Sequence, residues 1–353
     1  MKLLTSLSLA SAAALGTTLA TDYTADRSLR VERTITTTSE LVDMVMIVDG
    51  EEMEGRGFGG GANERTLTIT TVDKVLEHED GAPTRVRRTI ETLGSEGVVS
   101  MRGEERDIEQ TSDAEGAVLE LGFAENGDLE VEVVEGSEPE GADFASLELG
   151  LELDALLPAE AVEAGGTWDL ESDALVQGLG MGLEAAMFGR PSQGGGERGG
   201  RGEGGGRGGR RGFGGGRGGF NLQAMAGLEW EGEATLTEET ETVEDVECLV
   251  IELECEADGV LPEREWGGGR GGRGGGGLLL GAPASTVLPE TTVEVELEGR
   301  LLWSTSENRP VALELEGDFV LQMERSMSRG DREMEMSSTT EGSVEIAVSV
   351  AAE

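Results

Sequence analysis

From residue 228 onward the chain repeats one pattern: an apolar side chain at every second position, with a charged, usually acidic, residue between. Leu228, Trp230, Ala234 and Leu236 alternate with Glu229, Glu231 and Glu233. Leu249, Ile251, Leu253 and Cys255 alternate with Glu252, Glu254 and Glu256. Val293, Val295, Leu297, Leu301 and Trp303 alternate with Glu294, Glu296, Glu298 and Arg300. Val311, Leu313, Leu315, Phe319 and Leu321 do the same with Glu314, Glu316 and Asp318. In the last run Met334, Met336, Val344, Ile346, Val348 and Val350 share one parity. A period of two is the geometry of a strand. One greasy face and one acidic face is antiparallel sheet with a core on one side and water on the other.

The first part of the chain carries the same signal less regularly. Leu29, Val31 and Ile35, then Met44, Met46 and Val48, form two runs with Thr34 to Thr38 between polar neighbours. Leu67 and Ile69 open a strand that should reach about Leu76, and Gly81-Ala82-Pro83 turns the chain into another carrying Val86 and Ile90. Two shorter strands are expected at residues 98–102 and near Asp107. Leu119, Leu121 and Phe123, then Leu129, Val131 and Val133, flank Asn126-Gly127. That dipeptide tolerates the positive φ of a hairpin turn, so a hairpin is predicted here.

Residues 147–168 connect these two strand-rich parts. Leu147, Leu149, Leu151 and Leu153 alternate as a strand would, until Pro158 and Gly165-Gly166 stop the structure. Residues 172–188 place Leu175, Leu179, Leu183 and Met187 at every fourth position, a helical spacing. Gly178, Gly180 and Gly182 weaken that helix by about 1 kcal/mol each relative to alanine. The expected fold is therefore mainly β: antiparallel curved sheets, as two half-barrel-like lobes or one large open barrel, with one or two short central helices. The expected organisation is a signal peptide at 1–20, an N-terminal β half at 21–142, a connector with helices at 143–190, a Gly/Arg-rich insertion at 191–220, and a C-terminal β half at 221–353.

The first twenty residues, MKLLTSLSLASAAALGTTLA, place Lys2 before a modest apolar run and end in small residues. This is the layout of a secretory signal peptide, with cleavage near Thr21. The expected location is periplasm, cell envelope or extracellular space, with no transmembrane anchor after cleavage. The net charge of −45 argues against nucleic acid, whose phosphates the body of the protein would repel. Cys248 and Cys255 lie on one strand pattern at an odd separation, on opposite faces and roughly 23 Å apart. That is too far for a mutual disulfide.

Many of the 57 glycines fall in tracts rich in arginine, at residues 192–220 and 266–277, with RGFGGG at 56–61 and again at 211–216. Such composition cannot bury enough apolar surface to offset its ordering entropy, so the tracts read as disordered loops within the β halves. If residues 228–236 and 249–255 form a hairpin, both long tracts leave from one end of it. Arg198, Arg201, Arg207, Arg210, Arg211, Arg217, Arg270 and Arg273 would then form one cationic tuft. That tuft would contact an anionic surface or polymer, or fold back on the acidic sheet.

His78 is the only histidine, so a Ser-His-Asp or Cys-His arrangement would have to be built around it. It sits beside a turn, as an exposed strand end would. One histidine and two diverging cysteines leave no zinc set. Carboxylates are too numerous for any two to stand out as an acid and a base. No catalytic residue, metal ligand or cofactor is assigned, beyond weak calcium binding by glutamates on adjacent strands, where a cation would relieve like-charge repulsion. Arg329-Gly330-Asp331 reads as a turn between strands.

The order of these pieces resembles a family of uncharacterised exported bacterial β-rich proteins of the planctomycete type. The residues that carry the resemblance are the run from Leu29, TLTITTVDKV, LELGFAENGDLEVEVVEG, LLPAEAVEAGGTWDL, GEATLTEETETVEDVECLVIELE and GRLLWSTSENRPVALELEGD. They span nearly the whole mature chain, while the long Gly/Arg tracts depart from the family's pattern. The resemblance implies a β-rich fold and favours helix over strand for residues 144–157. It brings no catalytic residues. The expected function is a non-catalytic exported binding protein holding an apolar or lipid-like ligand on the concave sheet face, by analogy with curved-sheet lipid carriers. The alternative is a structural or surface-associated assembly protein using acidic sheets and cationic loops, engaging an envelope component. A carboxylate-dependent hydrolase ranks third.

Overall fold

A computed structural model of the chain describes residues 16–53, 61–101, 104–124, 126–137, 144, 147–181, 183, 225–261, 290–329 and 332–353. The strands are β1 (Ser28–Val48), β2 (Glu51–Met53), β3 (Ala62–Glu79), β4 (Ala82–Met101), β5 (Glu104–Thr111), β6 (Val118–Phe123), β7 (Leu129–Glu135), β8 (Thr167–Leu170), β9 (Glu229–Val243), β10 (Val246–Val260), β11 (Glu290–Ser304), β12 (Arg309–Arg329) and β13 (Arg332–Ala352). All belong to one 13-stranded open sheet in the order β7-β6-β4-β3-β1-β13-β12-β11-β10-β9-β8, with β2 on β1 and β5 on β4. Every pairing is antiparallel. Of the two predicted forms, the single open sheet is the one adopted.

The first and last long strands meet in the middle. The β1–β13 register runs from Leu29 opposite Ala352 to Val48 opposite Met334, with an irregularity at Leu41/Asp43. On each side of this seam the neighbours follow in chain order; β3–β4, β6–β7, β9–β10, β11–β12 and β12–β13 have short connections, whereas residues 171–228 separate β8 from β9 and residues 261–289 separate β10 from β11. The predicted hairpin at Asn126-Gly127 joins β6 and β7, with Gly127 at φ 88°. His78 pairs with Pro83 at the exposed end of β3. Of the two shorter strands expected, the one near Asp107 is β5, while residues 98–101 are the end of β4 rather than a strand of their own. Their hydrophobic signal is weak because every residue of β5 is exposed.

The parity read from the sequence sorts the faces. Leu297, Leu301, Leu313, Phe319, Val344, Ile346, Ile251 and Trp230 are all 3 % exposed or less, on one inner face. Gly317 also belongs to that face, opposite Leu297 and Val344. A Cβ there would run into the Glu296 carbonyl oxygen of the neighbouring strand, so the sheet comes closer at this point than a side chain allows.

The connector departs from both readings of residues 144–157. Its leucines are neither strand nor α-helix. Irregular chain at residues 147–151, bent at Leu149 and Gly150, leads into one 3-10 turn at Glu152–Leu156. Leu147, Leu149, Leu151, Leu153 and Leu156 are 6 % exposed or less, packed into the inner face. The alternation was a burial pattern without a ladder partner. The helix expected at 172–188 is short: α1 (Ser172–Gly178) ends in a turn at Leu179–Met181. Gly180 has φ +66°, and a Cβ on it would strike the Arg33 guanidinium. The glycine is there for close approach, which is incompatible with a longer helix. Trp168 and Trp230 tie the segment to the sheet, donating their indole N–H to the carbonyls of Leu156 (3.1 Å) and Met225 (3.0 Å).

Cys248 and Cys255 are both buried and free, on β10, with Cys255 in the main core and Cys248 in a small cluster with Val250, Leu302 and Val311. Burial pushes the Cys255 thiol up to about 12. Since the thiolate is the reactive form, the folded protein is expected to resist alkylation near pH 8 and to label twice once denatured. Mass spectrometry after a short iodoacetamide pulse checks this; rapid labelling of Cys255 in the native protein would contradict the packing.

Candidate functional site

Beneath the connector, charged residues interrupt the apolar parity of the inner face at three places. Arg33 shares parity with Leu29, Val31 and Ile35; Asp73 with Ile69 and Val75; Arg88 with Val86 and Ile90. Asp73 and Arg88 are direct partners between β3 and β4. Arg88 donates to both Asp73 oxygens, Nε to Oδ1 at 2.8 Å and Nη2 to Oδ2 at 2.6 Å. Glu152 of the connector sits over both arginines, with Oε1 at 3.4 Å from Arg88 Nη1 and Oε2 at 3.8 Å from Arg33 Nη2. These four side chains are between 2 % and 9 % exposed.

Burial works against the charge on Arg88, but Asp73 and Glu152 outweigh it and hold the guanidinium above its ordinary range. Burial pushes the Asp73 carboxyl up and Arg88 pulls it down; the bidentate geometry requires a carboxylate, and we read the pair as charged. Arg33 differs. Burial lowers it, with Glu152 opposing and Arg88 adding to the loss. Its Nε and Nη2 have no hydrogen-bond partner among the described residues.

A second polar group adjoins this one. Tyr23 and Thr21 both donate their hydroxyls to Asp154, and the Leu151 N–H donates to the Tyr23 oxygen at 2.6 Å. Burial raises the Asp154 carboxyl to about 6, against the two hydroxyl bonds that lower it, with Glu152 adding to the rise. Burial, then Asp154, raises the Tyr23 phenol beyond its ordinary range. Thr17 bridges to Val162 and Leu19 is 2 % exposed, so the residues just before the expected cleavage point also touch the connector or the core. Chemically, these groups are donors and acceptors facing one another in a packed interior. They fasten the connector to the sheet.

Beyond the connector the inner face continues without such cover among the described residues. Leu41, Leu321, Met44, Met46, Met323, Met334 and Met336 lie on it in register, and all are only partly buried. Met53 on β2 is 55 % exposed and Val42, at the irregularity in β1, is 49 % exposed. The deep leucine core thus passes, along the same strands, into a partly exposed apolar ledge.

The outer face carries carboxylates in rows. Asp169, Glu233, Glu254, Glu298, Glu316 and Glu345 are successive direct partners across six strands. Beside them run Glu231, Glu256, Glu296 and Asp318. All of these except Asp169 line a shallow hollow on that face. Arg300 answers part of the charge, donating to Glu314 at 2.9 and 2.8 Å and to Glu241 at 2.5 Å. Like charges directly opposite are destabilising, which full solvation softens. Among the described residues no group of three or more His, Cys, Asp or Glu side chains converges to hold a metal ion.

Arg198, Arg201, Arg207, Arg210, Arg211, Arg217, Arg270 and Arg273 lie outside the described residues, as does the RGFGGG stretch through residue 60. Both long tracts adjoin the same end of the sheet. Glu229 pairs with Asp258, and the Leu261 N–H donates to the Thr291 carbonyl at 2.8 Å, so the described chain stops and resumes at one end of the β9–β11 sheet. Gly330 and Asp331 are also outside the described residues, between the partners Arg329 and Arg332.

No protein-family model matches the chain. No curated protein matches it either. Among solved structures, one described as lipid-protein interactions in lipovitellin aligns with a TM-score of 0.30 and 7% identity, over 90% of this chain and 25% of that one. This chain therefore spans a quarter of that protein's length, and a likeness of that size carries no argument about ligand. No helix among the described residues is long and apolar enough to cross a membrane.

The buried charges were missed in the sequence, although the signal existed. Arg33, Asp73 and Arg88 each sit at an inward position of an otherwise apolar strand, whereas Glu152 lies in the connector's 3-10 turn.

Proposed function

We propose that this is an exported, non-catalytic binding protein that holds an apolar or lipid-like ligand against the inner face of its sheet. The connector leucines pack on part of that face, which leaves its other end for the ligand. The observation that carries this is the ledge of Leu41, Leu321, Met44, Met323 and Met46, where inward-facing apolar side chains run on past the connector and stay partly exposed. Contiguous apolar surface of this kind marks interaction sites in soluble proteins. Methionine suits the role, because its flexible thioether chain adapts to irregular ligands.

The test is binding of a fluorescent fatty acid to the full chain, compared with Leu321→Asp and Met323→Glu. A carboxylate at either position is expected to lower affinity at least about tenfold, since burying it unpaired against a ligand costs well over 1.4 kcal/mol. Equal binding by all three proteins would overturn the reading. A second reading, surface assembly, is favoured by the six-carboxylate row on the outer face. Native mass spectrometry of protein taken from its own envelope separates the two: small apolar adducts support the first, and a stoichiometric protein partner supports the second.

A further inference from the structure

At the far end of the inner face the side chains are methionines. Register places Met53 of β2 directly opposite Met46 of β1, and Met46 directly opposite Met336 of β13. Residues so paired project to the same face, with Cβ atoms about 4.5–5.5 Å apart. Met44 and Met334 lie two residues along the same strands, so Met44-Val45-Met46 and Met334-Glu335-Met336 each send two thioethers to that face. Met323 of β12, opposite Ser338, joins them from the next strand. Half of the chain's 12 methionines are thus gathered on one end of one face.

Apolarity alone does not account for this choice. Further along the same strand, β13 fills its inward positions with Val344, Ile346, Val348 and Val350, the β-branched residues that strands favour. What methionine supplies and valine does not is sulfur. We infer that the row Met53, Met46 and Met336 is a binding site for a soft monovalent cation, Cu(I), held by three thioethers. Thioether sulfur is a soft ligand that selects Cu(I) over the hard cations carboxylates prefer. The three side chains are partly or fully exposed, and each has three rotatable bonds, so their sulfurs can converge on one ion from adjacent strands. Met44 and Met334 stand one step away as alternative donors.

Two charged groups share the face. Arg325 of β12 is opposite Met336, and Glu51 of β2 is two residues from Met53. A univalent ion on neutral ligands keeps its charge, so Arg325 opposes it from one side and Glu51 favours it from the other. The inference does not rest on the apolar-ligand reading, although both use this end of the sheet. Leucine would serve a lipid as well as methionine does, and would not hold copper.

That difference makes the test. The full chain is titrated with Cu(I) under anaerobic reducing conditions against a coloured Cu(I) chelator, alongside Met46→Leu and Met336→Leu. Leucine conserves volume, so melting temperatures should stay close to the parent's. Losing even an outer-shell partner costs metal sites 10–100-fold, so loss of a direct ligand is expected to weaken binding at least about tenfold. Arg325→Gln is expected to tighten it. Binding that is unchanged in both leucine variants, or that is lost only in Cys255→Ala, would overturn the site. Leu321→Asp, which should lose fatty acid, lies outside the methionine row and should keep the parent's Cu(I) affinity, so failure of one reading is distinguishable from failure of the other.

Discussion

Replacing Arg88 by alanine is expected to lower the free energy of unfolding by about 3–5 kcal/mol, because it leaves a buried carboxylate without its partner. Asp73 would lose both N–H donors in a site where its side chain is 7 % exposed, and Glu152 would lose one of the two cations beneath it. Urea or thermal denaturation reads this directly. The double variant Arg88→Met with Asp73→Leu should recover most of the loss, since removing both charges leaves nothing uncompensated between β3 and β4. Arg33→Met is expected to cost less than Arg88→Met. Arg33 already has two nitrogens without hydrogen bonds, and its burial is only partly offset by Glu152. An Arg88 variant no less stable than the Arg33 variant would show that the ion pair does not anchor the connector.

Stability should also rise as pH falls from about 7 to about 4, through Asp154. Its folded value, about 6, lies above the ordinary value of 3.8 that applies once the chain unfolds. Between those values the native state holds a proton that the unfolded chain has released. The contribution is therefore fully present below the unfolded value and is lost as pH rises through about 6. At 1.36 kcal/mol per unit, the upper limit is about 3 kcal/mol. Asp154→Asn keeps an acceptor for Thr21 and Tyr23 but carries no charge at any pH. The stability difference between variant and parent should therefore grow in the variant's favour from pH 4 to pH 7, with its bend near pH 6. A flat difference across that window would mean that Asp154 is ionised in the folded protein as easily as in the unfolded one. Comparing the two proteins matters, because relief of repulsion along the outer carboxylate rows also stabilises the parent in acid, and cancels in the difference.

The two predictions concern one feature, the fastening of residues 147–183 to the inner face. It was the least legible part of the chain. Leu147 to Leu153 alternate as faithfully as any strand, and the alternation correctly reports which side is buried. It cannot report that the backbone lacks a neighbour to pair with. Gly178 and Gly180 looked like weak points in a helix, yet Gly180 is where the turn presses on Arg33. The long strands were easier. Ile251, Leu297, Leu313 and Ile346 fall on one face because a two-residue period permits only that, and the Asn126-Gly127 hairpin is specified by a local turn. The candidate site divides the same way. Met44-Val45-Met46 and Met334-Glu335-Met336 are visible in the sequence as two separate pairs of thioethers. That Met46 stands opposite both Met53 and Met336 is a fact of register.

The sequence by itself determined the β class, the inward and outward faces, the acid exterior and the separation of the two cysteines. Each depends only on side-chain alternation along one strand. Only the tertiary structure decided that β1 and β13 join all the strands into a single sheet, that the connector packs on its inner face, and that buried charges lock it there. Those outcomes depend on which distant segments become neighbours. Local periodicity is silent about that choice, because a strand offers the same hydrogen-bonding edge to any partner whose register buries its apolar face.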